Sequence, residues 1–175
     1  MNIENKQQGK PEVISKTREK LISLEKEGKY VFHGGPTLLE KLEPRQQTSY
    51  CKETGKNEND GEPSVYVTPF ADIAIFRAIV NPKNSPSKKY HSRFGVTIDE
   101  NGTVIDINLK TTPEAVDEVR DKHGYVYVLD KSQFEKFSDH EMRARKEIKP
   151  IEIIKVFFKD LPSFQQLPVE FFRKK

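Results

Sequence analysis

The sequence predicts an α+β fold with mainly antiparallel strands, and three observations carry that prediction. Helical and strand patterns are mixed without the regular strand–helix–strand alternation of a parallel sheet. The length of 175 residues suits one domain whose core closes without covalent staples. A hairpin is visible in FGVTIDENGTVIDINL, residues 94–109, where Asn101-Gly102 separates two alternating apolar runs. A two-residue turn there pairs Ile98 with Ile105, Val96 with Ile107 and Phe94 with Leu109, all on one face.

Residues 1–11 are polar and are expected to form a flexible arm ahead of one domain spanning 12–175. VISKTREKLISLEKEG, 13–28, predicts a helix with a broken stripe of Val13, Ile14, Leu21, Ile22 and Leu24, stopped by Gly28. KYVFHGG follows as a short strand, and PTLLEKLEP, 36–44, as a short helix with Leu38, Leu39 and Leu42 inward. Residues 45–63 have almost no apolar content and predict a long loop of the kind that often binds ligands.

SVYVT, 64–68, is β-branched and aromatic, a strand. It leads directly into a helix whose start has Thr68 as N-cap, Pro69 in the first helical position and Asp72 in the first turn. Ile73, Ile75, Phe76, Ile79 and Val80 give that helix a wide apolar face. TTPEAVDEVRDKHG, 111–124, has Thr111 and Glu114 at capping-box spacing and Gly124 at its end. YVYVLD, 125–130, and IEIIKVFF, 151–158, predict strands, with a polar loop between them and a proline-containing extension at the end.

Composition narrows the function classes. A single cysteine, Cys51, excludes an intrachain disulfide, and its polar surroundings offer no thiol or metal partner. No run of 18 apolar residues exists to span a membrane. MNIENKQQGKPE lacks the apolar centre of a secretory signal, so a cytoplasmic location is expected, with export by another route left open. Thirty Lys and Arg against 27 Asp and Glu make a formal charge of only +3. The basic residues cluster in KNSPSKKYHSR, 83–93, with Lys83 and Arg93 at its ends, and in RARK, 143–146, with Arg143, Arg145 and Lys146. Such runs are usually solvated surface, and nucleic-acid contact through them stays open.

Three segments offer chemistry. His33 with Gly34 and Gly35 reads either as a buried imidazole donating to a carbonyl beside a turn, or as a polar hook on a ribose hydroxyl or amide. In the second reading Gly34 allows close ligand approach because it has no Cβ. The corner VYVTPFADIAIFRA is either an ordinary capped turn or a helix start whose free N–H groups attract anions, with Phe70 or Phe76 stacking on a flat ring. Glu141 is either solvated or, facing the cleft of His33, able to stabilise an oxocarbenium cation or bind a ribose hydroxyl, with Glu147 its nearest competitor.

VFHGGPTLLEKLEPR, VYVTPFADIAIFRA and HEMRARKEIKPIEII, in that order, resemble the three conserved elements of the ADP-ribosyltransferase superfamily of PARP-like proteins, bacterial toxins and small relatives. The likeness covers about residues 30–157. It implies a split, mainly antiparallel β-sandwich with peripheral helices and NAD in its cleft as substrate, with no metal. It implies that His33 and Glu141 are catalytic, that His33 holds a ribose and Gly34 the nicotinamide amide, with Gly35 also at the cofactor, and that Tyr66 and Thr68 with the following helix form the second element. Glu141 would stabilise the cation as nicotinamide leaves. The tyrosine that usually stacks on nicotinamide has no clear equivalent, and Phe70 or Phe76 stands in. The acceptor stays open between protein, nucleic acid and small molecule. Two alternatives share the fold. An RNA 2′-phosphotransferase would converge several arginines on phosphate, for which Arg45, Arg77, Arg93, Arg143 and Arg145 are available; a non-catalytic module would bind nucleotide or protein in the same cleft.

Overall fold

The computed structural model describes residues 13–51, 53–59, 61–87 and 89–173. The expected N-terminal arm lies outside them, as does Lys88 of the first basic run. In chain order the elements are α1 (Lys16–Lys26), β1 (Tyr30–Gly35), β2 (Thr48–Cys51), β3 (Lys56–Asn59), β4 (Val65–Val67), α2 (Ala71–Ile79), β5 (Ser92–Ile98), β6 (Val104–Thr111), α3 (Pro113–Val119), β7 (His123–Asp130), β8 (Glu135–Lys136), β9 (Met142–Ala144), β10 (Glu152–Phe157), β11 (Gln165–Gln166) and α4 (Val169–Arg173). The protein is a mixed α+β fold, and among the described residues all strand pairs are antiparallel except the short β11–β6 contact. No helix among the described residues is long and apolar enough to cross a membrane.

The sheet β1–β7–β10 lies at the centre and is buried on both faces. Strand alternation decides which residue goes where. Phe32 of β1 and Val126 and Val128 of β7 point to α2 and α1, joining Ile73, Ala74, Phe76, Ile79 and Leu21 in one core. Val31, Tyr127 and Leu129 point the other way, onto Val65 and Val67 of β4, Ala144 of β9 and Ile148. The sheet β4–β9–β8 is tied to the central one by a bridge from Phe32 to Thr68. β5, β6 and β11 form a further sheet.

α2 sits unusually close to the central sheet, and glycine is the reason. A Cβ on Gly34 would lie 1.9 Å from the Ala74 carbonyl oxygen, and one on Gly124 would lie 2.0 Å from that of Ala78. Both glycines share the strand parity of Phe32 and Val126, so their missing side chains let the helix backbone rest on the sheet. Gly124 is therefore a seat for α2 within β7, not the stop of the preceding helix.

Several expected elements differ, each for a local reason. α1 begins three residues late because the Ser15 side chain accepts from Arg18 N, leaving Val13 94% exposed. Residues 36–44 are not helical. Leu42 bridges Ile148, and the Tyr127 hydroxyl accepts from Leu39 N at 2.9 Å and donates to the Thr37 carbonyl, which holds the segment in a bent, irregular path. The loop expected over 45–63 contains the polar hairpin β2–β3.

The 94–109 hairpin keeps Phe94 opposite Leu109 and Val96 opposite Ile107, but Ile98 faces Val104 across an irregularity. Asp99 accepts from both Asn101 N and Thr103 N, and this widens the turn beyond two residues. α3 is shorter than expected, since Thr111 ends β6 and donates to the His91 carbonyl instead of capping. β9, in the charged run before Pro150, has no strand signature because Met142, Arg143 and Ala144 are too few to display one.

Candidate functional site

His33 lies on the β1 face shared with Val31, directly opposite Tyr127 and 5.9 Å from its ring. Its Nδ1 is 2.8 Å from the Tyr66 carbonyl oxygen. A carbonyl only accepts, so Nδ1 carries the proton and Nε2 of the neutral ring presents a lone pair. Burial lowers the proton affinity of the imidazole below its ordinary value; the Tyr66 bond opposes this, and the charges of Arg77 and Arg45 add to it. Nε2 is thus an acceptor at neutral pH, the group that a ribose hydroxyl needs.

A cavity of about 120 Å³ opens beside this ring, bounded by His33, Tyr66, Leu42, Ser64, Arg45 and Arg77. A second, of about 440 Å³, is bounded by Gly34, Arg77, Tyr90, Arg93 and Phe94 among others. Arg77 is a wall of both. Its guanidinium lies over the Phe94 ring at 5.4 Å, and its Nη1 is 3.7 Å from Glu141 Oε1. Glu141 closes the turn before β9, where its carbonyl accepts from Phe137 N and Ser138 N, and its side chain is only 21% exposed. His140 meets the edge of the same Phe94 ring. Arg77 of α2 thus lines the cavity of the β1 imidazole and lies beside the carboxylate of the β8–β9 turn.

The other expected site residues divide. Tyr66 contributes its carbonyl, while its ring packs edge-on against Phe137. Thr68 is buried; its backbone bridges Phe32 and its hydroxyl oxygen accepts from Phe70 N. Gly34 borders the larger cavity, but its lack of a Cβ is accounted for by α2, not by a ligand. A Cβ on Gly35 would meet only the His33 ring, at 3.8 Å. Phe76 is 1% exposed and belongs to the core, while also bordering the larger cavity with Gly34 and Phe94. Phe70 lines a different cavity, with Arg18, Glu25 and Asp72. Glu147, the alternative to Glu141, is ion-paired with Lys41 at 2.6 Å.

The expected anion site at the start of α2 is occupied by the protein itself. The Glu25 carboxylate accepts from Ala71 N at 2.7 Å, and Arg18 grips Asp72 with two hydrogen bonds of 2.8 and 2.9 Å. In the basic runs, Arg143 pairs with Glu135 and Arg145 with Glu62, whereas Lys83 donates to Thr37 and Arg93 borders the larger cavity. No group of three or more His, Cys, Asp and Glu among the described residues is placed to hold a metal ion.

Sequence reasoning did not single out Arg77 as the organiser, nor Phe94 and Tyr90 as its aromatic neighbours. The available signal was one: Arg77 is the lone cation in the apolar run IAIFRAIV. In comparisons with known proteins, no family model matches the chain and no curated protein or solved structure matches it significantly.

Proposed function

We propose that the protein is an NAD-dependent ADP-ribosyltransferase-like enzyme on a split β-sandwich of that type, transferring ADP-ribose to an acceptor with release of nicotinamide. One observation carries the reading. Arg77 lines the cavity of His33 and is ion-paired with Glu141, so the first and third of the resembling segments meet at one side chain.

The chain's own groups suit the task. Neutral His33 accepts from a ribose hydroxyl through Nε2 and fixes the sugar. Glu141, held at the cleft, faces the positive charge that builds on that sugar as the bond to nicotinamide breaks, and electrostatic stabilisation there lowers the barrier. Positioning supplies much of the remainder, because nicotinamide is already a fair leaving group. Phe94, half-buried under Arg77, takes the stacking role expected of Phe70 or Phe76.

The test is incubation with NAD and chromatography of free nicotinamide. Release that disappears in Glu141→Ala and in His33→Ala, with both variants folded, supports the enzyme. NAD that binds and stays intact supports instead a non-catalytic nucleotide-binding module, a reading favoured by the Arg77 ion pair that already occupies Glu141.

A further inference from the structure

Of the two outer strands of the central sheet, β1 is bridged through Phe32 to Thr68, whereas β10 has no further strand on its outer side among the described residues. Two bonds show which backbone groups of β10 face outward. Ile151 N donates at 2.8 Å to the carbonyl of Val128, the residue opposite Glu152. That end of the ladder is therefore bonded to β7 through Glu152, and alternation continues it through Ile154 and Val156. Phe157 N donates at 2.7 Å to the Asp160 carboxylate instead of to β7. By the same alternation, the N–H and C=O groups of Ile153 and Lys155 point out from the sheet edge. Such an edge is a template for another strand.

The side chains favour a second copy of the same strand. Ile151 is 60% exposed and Phe157 43%, and they stand equally far along the chain from Ile154. Two antiparallel copies of β10 related by a two-fold axis pair residues of like parity, because the axis is perpendicular to the sheet and preserves its faces. A pairing centred on Lys155 sets two ammonium groups opposite each other, which is destabilising. One centred on Ile153 sets Lys155 opposite Ile151, whose N–H is already bonded to Val128. One centred on Ile154 sets Ile153 opposite Lys155 in both directions, so every outward group of these residues finds a partner. It also brings Ile151 of each copy level with Phe157 of the other. Lys155 Nζ lies 5.3 Å from the centre of its own Phe157 ring, so each ammonium leans away from that axis.

We propose that the protein self-associates through β10, joining two central sheets into one continuous antiparallel sheet with its two-fold axis at Ile154. His33 is on β1, the other outer strand, so the pairing does not pass over the candidate cleft, and the inference is independent of the enzyme reading. A single short strand gives a small interface, so the dissociation constant is expected at about 10–100 µM.

Sedimentation velocity of the full chain from about 1 to about 300 µM tests this, with a shift from monomer to dimer expected across that range. Lys155→Pro removes an outward N–H and no bond to β7, so it should weaken the dimer at least about tenfold while thermal unfolding stays near wild type. Phe157→Ser should weaken it as well, by removing the apolar contact with Ile151 of the partner copy. Cross-linking gives a second readout that needs no proline. In a Cys51→Ser background, Ile154→Cys should form a disulfide-linked dimer on oxidation, because the axial pair of a non-hydrogen-bonded site has Cα atoms about 4.5 Å apart. Lys155→Cys, which faces Ile153 of the copy, should cross-link far more slowly. A wild type that stays monomeric at about 300 µM overturns the proposal and leaves the edge to an extended peptide of another protein. A dimer unchanged by both Lys155→Pro and Phe157→Ser, or cross-linking no faster at position 154 than at 155, overturns it too.

Discussion

Gly34→Ala should be among the most damaging single-methyl changes available in this chain. The added Cβ would fall 1.9 Å from Ala74 O, 2.8 Å from Ala74 C and 2.9 Å from Ala78 N. Comfortable carbon contacts begin near ~3.5 Å, so α2 or β1 must retreat by roughly 1.5 Å. Both surfaces are backbone, and neither has a side chain that can swing aside. Retreat of α2 would also part Ile73, Phe76 and Ile79 from Phe32, Val126 and Val128. Overpacking commonly costs about 1–3 kcal/mol, and the rigid contact puts this case at or above ~3 kcal/mol. For a chain of this size that is a fall in melting temperature of about 6–12 °C. The assay is thermal unfolding by calorimetry, with Gly35→Ala alongside. Gly35 has room for a Cβ and should melt within about 2 °C of wild type. A Gly34→Ala protein that melts with the wild type would refute the helix-seat explanation and revive the reading of Gly34 as bare backbone kept for a ligand.

Other perturbations separate packing from binding. Tyr127→Phe leaves the Thr37 carbonyl and Leu39 N–H without the hydroxyl, so urea unfolding should show a loss of about 1–3 kcal/mol and proteolysis should begin within residues 36–44. Phe76→Leu should lower stability without changing ligand affinity, whereas Phe94→Ala should weaken NAD binding with little effect on melting; equal effects of the two on affinity would contradict the assignment of the half-buried Phe94 ring. His33 has a folded proton affinity below its unfolded value near 6.5. Its contribution is therefore complete above that pH and is lost as pH falls from about 6.5 toward the folded pKa. The stability difference between wild type and His33→Gln should shrink between pH 7.5 and 5.5 in urea titrations.

What the sequence displayed and what it hid follow from how far each signal reaches. β1, β4, β7 and β10 were legible because each is a short apolar run that is buried. The start of α2 was misjudged because its cap comes from Glu25, 46 positions away, and no local pattern records that bond. Residues 36–44 carry helical spacing, yet a tyrosine about 90 positions away holds them out of a helix. The site behaved the same way. His33 and Glu141 stood out as residue types in resembling segments, but Arg77 looked like an ordinary helix cation. Its importance lies in three long-range neighbours, Glu141, Phe94 and the His33 cavity. The glycine pair divides because strand parity, visible in the sequence, sends Gly34 toward α2 and puts Gly35 on the other face with His33.

A crystal structure with ADP-ribose bound tests the central claim most directly. The account predicts one ribose within hydrogen-bonding reach of His33 Nε2 and in contact with the Glu141 carboxylate. A sugar bound elsewhere, or one that touches His33 while Glu141 stays paired and remote, would contradict it.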